Sequence, residues 1–191
     1  MFTAKSRGVT LIELIITIVV VGIAAAAILT VQTRAISMSA DPQSRKQALA
    51  LAEGLLEEIS LAKMTYCDPN DPVADSAASP AACALPEAAG QEAGGVGRPF
   101  DNVSDYVNAF NTPLVYATDA AGVGYPTGYT VSVTISPDAN LGPAGLLITP
   151  ADGTPANLNV LKISISVTYR GGAESVVLDG YRTRYAPNSL P

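Results

Sequence analysis

Glu13 is the single ionisable side chain between Val9 and Val31, in a run otherwise made mostly of Ile, Val, Leu and Ala. A carboxylate in an apolar helix costs about 2.5–3.5 kcal/mol at a membrane centre, less near an end, and usually has a partner. A cut between Gly8 and Val9 would supply one: a free α-amino group one helical turn from Glu13, in the same helix or a neighbouring one. Two further sets carry reactive or ligating atoms, the thiols Cys67 and Cys83 and the cluster Asp68, Asn70, Asp71 and Asp75. Oxygen ligands at short spacing suit calcium, but this cluster lacks the Gly and distal Glu of an EF-hand loop. Pro69 and Pro72 make its members read as ordinary Asx-type turns, and no metal or other cofactor is expected. The chain has no His. That removes the usual general base, the commonest zinc ligand, and both Ser-His-Asp and Cys-His catalysis. With no base–nucleophile set to build, the chain reads as a non-enzyme.

The element that positions Glu13 is long enough to be a membrane helix. Val9–Val31 is 23 residues, roughly 35 Å at about 1.5 Å per residue, against a bilayer core of about 30 Å. Lys5 and Arg7 flank its start, and the positive-inside bias leaves the short leader in the cytoplasm with everything after the helix outside. Cys67 and Cys83 then sit in an oxidising compartment and read as one disulfide, closing a loop of about 15 residues worth roughly 3 kcal/mol in the chain-entropy model. A reactive thiol or metal pair would lack partner ligands.

Helix is expected from Val9 to about Ser39, with Gly22 its weak interior point. Asp41-Pro42 is a helix-start signature, so a break or kink is expected at Ala40-Asp41, with the helix restarting at Pro42. From there to about Met64, Ala48, Leu51, Ala52, Leu55, Ile59 and Ala62 recur at three- and four-residue spacing, one buried stripe, with Glu53, Glu57 and Glu58 solvated. Residues 67–113 form a connection rich in Ala, Pro, Gly and Asp, most mobile from Ala88 to Gly97, with Phe100–Tyr106 docking it onto the core. Tyr129, Val131, Val133 and Ile135 alternate with polar residues up to Pro137. Leu146-Leu147-Ile148 is a possible short strand. Leu161 to Tyr169 alternates again, and Arg170-Gly171-Gly172-Ala173 turns it back along Ser175 to about Tyr181. The fold class is α+β: a long N-terminal helix whose second half covers one face of a three- or four-stranded antiparallel sheet. The expected segments are leader 1–8, membrane or filament-core helix 9–40, amphipathic second half 41–66, disulfide-stapled connection 67–113 and sheet 114–191.

The net charge is −6, about −8 once Lys5 and Arg7 leave with a leader. An acidic exported domain argues against nucleic-acid binding, which needs Lys/Arg clusters; Arg182 and Arg184 are the nearest approach to one.

Gly8-Val9-Thr10-Leu11-Ile12-Glu13 resembles the class III signal of type IV pilins and pseudopilins, which a prepilin peptidase cuts after the glycine. A secretory signal cut at Ala24-Ala25-Ala26-Ala27 or an uncut signal anchor would also explain the apolar run, but neither explains the Gly before it or the Glu five residues after the cut. The resemblance implies cleavage between Gly8 and Val9, N-methylation of Val9 and pairing of Glu13 with the N-terminal amine of an adjoining subunit; Val9 stands where most members have Phe. A weaker likeness, in Ser39–Pro42, Ala52–Ile59, Phe100–Tyr106 and the terminal hairpin, is to minor pilins of mannose-sensitive haemagglutinin (MSHA) type pili, MshD-like or PilV-like. The function implied is a low-abundance minor pilin that assembles into, or initiates, a pilus filament. The partners implied are prepilin peptidase, major and minor pilin subunits, the inner-membrane assembly platform and inner-membrane lipid. The location implied is the inner membrane, single pass with a periplasmic domain, and then the pilus surface. The alternatives are a pseudopilin of a type II secretion system and a pilus-associated adhesin module using the 67–113 connection.

Overall fold

The structure, a computed structural model, describes residues 8–91 and 97–184, and for 36–41 the description is confined to the backbone. Lys5 and Arg7 of the leader, residues 92–96 of the stretch expected to be most mobile, and 185–191 lie outside the described residues.

A single helix, α1 (Leu11–Leu61), carries the first third of the chain with Pro42 inside it. The break expected at Ala40-Asp41 is absent. Proline removes one N–H and with it one i→i−4 bond, yet the backbone stays helical on both sides of it. The chain divides into two units, Met1–Ser44 and Arg45–Pro191. In the first, the described side chains from Leu11 to Ala35 are all exposed.

In the second unit four strands, β1 (Leu114–Tyr116), β2 (Thr130–Pro137), β3 (Val160–Tyr169) and β4 (Glu174–Thr183), pair antiparallel in chain order. Alternation does what the period-two pattern demands: Val131, Val133 and Ile135 of β2 and Ile163, Ile165 and Val167 of β3 are fully buried on one face. Ala48, Ala52, Leu55 and Ile59 of α1, with Ala62 just after it, belong to the same core. Each Val, Leu or Ile side chain so buried contributes about 1.5–3 kcal/mol. On β4 the helix comes so close that a Cβ on Gly180 would stand 2.7 Å from Leu56 Cδ1. The β3–β4 turn puts Arg170, Gly171 and Gly172 at φ of 55°, 68° and 88°, the left-handed region that glycine enters without steric cost.

Two further expectations give way. Leu146-Leu147-Ile148 forms no strand; it lies in the β2–β3 connection with Leu146 76% exposed. Glu58 is not solvated but held by Arg98, because the 97–125 region folds back over that side of the helix. β1 is a three-residue strand after Pro113, too short to show a period.

Candidate functional site

The chemistry singled out at the N-terminus is assembled at the first turn of α1. Gly8 and Val9 precede the helix, outside regular structure and exposed, so the peptide bond between them is accessible. Thr10 is the N-cap. Its hydroxyl accepts from the Glu13 N–H at 3.4 Å, while the Glu13 carboxylate accepts from the Thr10 N–H and hydroxyl, each at 3.5 Å. This is a capping box, reciprocal satisfaction of helix-start donors, with the bonds at their long limit. A carboxylate at a helix N-terminus is also favoured by the macrodipole. The sequence signal for this role is the capping spacing Thr-x-x-Glu at Thr10–Glu13, which is separate from the isolation that marks Glu13 as an ion-pair partner.

Behind this turn the apolar surface is unbroken. Leu11–Ala35 is, by length and composition, the one described helix segment able to cross a membrane. Its hydroxyls are withdrawn: Thr17, Thr30 and Thr33 donate to the carbonyls of Glu13, Ala26 and Leu29 at 2.7, 2.8 and 2.8 Å. Such back-bonding spends a polar group that lipid or a packed neighbour could not satisfy.

The second unit holds the other predicted residues. Cys67 and Cys83 are joined by a disulfide with Cα atoms 5.3 Å apart. Asp71 staples the same loop: its carboxylate accepts from Val73 N–H at 3.0 Å, Ala84 N–H at 2.7 Å and Leu85 N–H at 3.0 Å. The Val73 and Leu85 bonds lower its pKa against the effect of burial, with Ala84 adding to them. Asp68 accepts from the Asn70 N–H at 2.6 Å, so these two carboxylates are engaged in turns. Among the described residues no group of three His, Cys, Asp or Glu side chains is placed to hold a metal.

Arg98 and Tyr116, given no role by the sequence, join Glu58 and the expected docking aromatics Phe100 and Tyr106 in the polar heart of this unit. Arg98 meets Glu58 through two nitrogens, its Nε at 2.9 Å, and lies 4.2 Å over the Tyr116 ring. Tyr106 donates to Glu58 at 3.0 Å and packs edge-on to Phe100. Burial works against the Arg98 charge, but Glu58, with Tyr125 beside it, holds the guanidinium above its ordinary value. Burial also raises the phenols of Tyr106, Tyr116 and Tyr125. At the far end of α1, Arg182 donates to the Ala62 carbonyl at 2.7 Å, and Arg184 donates to Thr65 at 3.1 Å and lies over Tyr66. The nearest approach to a basic cluster is thus a brace on the helix C-terminus, where cations and donors are favoured.

Residues 3–29 match the family model described as the prokaryotic N-terminal methylation motif. The chain is type IV pilin-like at its N-terminus. The match spans Gly8, Val9, Glu13 and most of the apolar helix, and it points to a structural subunit rather than an enzyme. No curated protein and no solved structure matches the chain.

Proposed function

We propose that this chain is a minor type IV pilin, cut by prepilin peptidase between Gly8 and Val9, methylated on Val9, and assembled into or initiating a pilus filament. The observation that carries the reading is the methylation motif at 3–29 lying on a fully exposed apolar helix segment. That helix continues as the spine of an α+β domain. Before assembly, Leu11–Ala35 anchors the subunit in the inner membrane as a single pass, the acidic domain outside the cytoplasm. Cleavage in the exposed Gly8–Val9 link frees the Val9 amine. The long capping contacts of Glu13 are cheap to give up, so the carboxylate is available to the N-terminal ammonium of an adjoining subunit as helices exchange lipid for one another. A buried ion pair adds little over an apolar contact, but stranding one partner costs about 3–5 kcal/mol, so the pair sets register more than stability. Prepilin peptidase, other pilins of an MSHA-like system and the assembly platform are the partners. Glu13→Ala tests this: cleavage and methylation persist while incorporation into filaments is lost, and normal incorporation would remove the register role. The same motif serves a secretion pseudopilin; loss of secretion with intact surface pili on deletion would select that reading instead.

A further inference from the structure

We propose that the exposed stripe Lys46, Glu53 and Glu57 of α1 is a contact surface for a second copy of this chain stepped along the helix axis, and that the same charges keep level copies apart; this rests on the filament-subunit reading.

The stripe is made of charges that the chain itself leaves unmatched. Lys46, Ala50, Glu53 and Glu57 follow one another at spacings of four, three and four residues, so they share one face of α1, and all four are exposed. Ala48, Ala52, Leu55 and Ile59 hold the other face in the core. Side chains pair along a helix at three and four residues' distance. For Lys46 those positions are Pro42, Gln43, Leu49 and Ala50, none of them acidic, while Glu53 and Glu57 are like charges four apart. Further bases of the Arg45–Pro191 unit are engaged. Lys63 pairs with Asp75, Arg98 with Glu58, Lys162 with Asp179 and Arg170 with Glu174, and Arg182 and Arg184 donate to backbone carbonyls. Lys46, Glu53 and Glu57 have no hydrogen bond or ion pair among the described residues.

A helix face that is positive at Lys46 and negative at Glu53 and Glu57 complements itself. Level copies set Lys46 against Lys46 and Glu53 against Glu53, and repel. A copy stepped by seven to eleven residues sets its Glu53 or Glu57 against the Lys46 of its neighbour, a shift of roughly 10–16 Å at the helical rise. Antiparallel pairing would match Lys46 with Glu57 as well, but copies anchored by the same N-terminal span cross one membrane in the same sense. In the stepped contact the basic end of one copy meets the acidic end of the other, so it is heterologous and propagates. Exposed pairs of this kind contribute little affinity; they select partner and register.

The span decides when the step can occur. Leu11–Ala35 is 25 residues, about 37 Å against a bilayer core of about 30 Å. The excess is smaller than the step, so copies side by side in a bilayer stay level, like charge facing like. A copy moved forward out of the membrane meets opposite charge instead. The stripe therefore opposes pairing in the bilayer and favours it in a filament.

A photo-crosslinking amino acid at Ala50 of the full chain in detergent micelles, which impose no fixed thickness, tests the contact, with adducts mapped by mass spectrometry. The expected adducts join Ala50 to Glu57–Leu61 of a second copy and fall as salt is raised from about 50 to about 500 mM. They fall about tenfold with Lys46→Glu and return when Lys46→Glu is combined with Glu53→Lys and Glu57→Lys, each variant checked for an unchanged circular dichroism spectrum. Adducts to Ala50 itself, the mark of level copies, or to Glu53, the mark of antiparallel ones, would overturn it. So would adducts elsewhere, no adducts, or no recovery in the triple variant. The micelle measurement needs no N-terminal processing. An unprocessed N-terminus with the expected adducts therefore sinks the filament reading alone, and a processed one without them sinks the stepped contact alone.

Discussion

The Glu58 carboxylate and the Arg98 guanidinium, forty residues apart in sequence, meet in a two-nitrogen ion pair with side chains only 11% and 9% exposed. Arg98 also donates to the Thr118 carbonyl and covers Tyr116, so this one side chain ties helix, connection and first strand together. Arg98→Ala should cost about 3–5 kcal/mol in urea unfolding, because it strands a largely buried carboxylate. Replacing both partners, Glu58→Leu with Arg98→Met, should restore most of that loss.

Alkaline pH attacks the same cluster. Burial raises the Tyr106, Tyr116 and Tyr125 phenols, with Glu58 adding to the effect at Tyr106. A raised folded pKa means that the stabilisation is complete below the unfolded value of about 10 and is lost as pH climbs from there towards the folded value. Thermal unfolding followed from pH 8 to 12 should show a flat melting temperature to about pH 10 and a fall above it. Tyr106→Phe should make that fall shallower.

The brace at the end of α1 predicts a local loss. Arg182→Ala removes the charged donor from the Ala62 carbonyl and should cost about 1.5–3 kcal/mol in urea unfolding. Amide exchange should rise first in the last helical turn.

Two staples hold the 67–85 loop. Removing the disulfide by Cys67→Ser with Cys83→Ser should cost roughly 3 kcal/mol on the chain-entropy account. Asp71 should still protect the Ala84 and Leu85 amides at neutral pH. Its pKa is depressed by its bonds from the Val73, Leu85 and Ala84 N–H groups. Its contribution is therefore present above the unfolded carboxylate value, about pH 4, and lost as pH falls through the folded one. Hydrogen exchange on the double Cys variant at pH 7 and pH 3 reads this directly; equal protection at both would contradict it.

The fold was legible where burial and period coincide. The stripe Ala48–Ala62 and the alternation at Val131–Ile135 and Leu161–Tyr169 state which faces are covered, and the Gly171-Gly172 turn states how two strands join. What was not legible depends on distant partners. Glu58 reads as one more solvent-facing carboxylate until Arg98 is folded against it, and Arg182 and Arg184 read as a basic pair until Ala62 and Thr65 lie beneath them. Asp41-Pro42 is a local start signal that lies inside a helix running through it. At the N-terminus, Glu13 stands out by its isolation in an apolar run, while the role of Thr10 rests on the capping spacing Thr-x-x-Glu.

The proposed assembly into a filament depends on prepilin processing. Its most direct test is the intact mass and N-terminal sequence of the protein recovered from bacterial membranes. The expected chain begins at N-methyl-Val9. A chain beginning at Met1, or one released by a cut near Ile28, would contradict it.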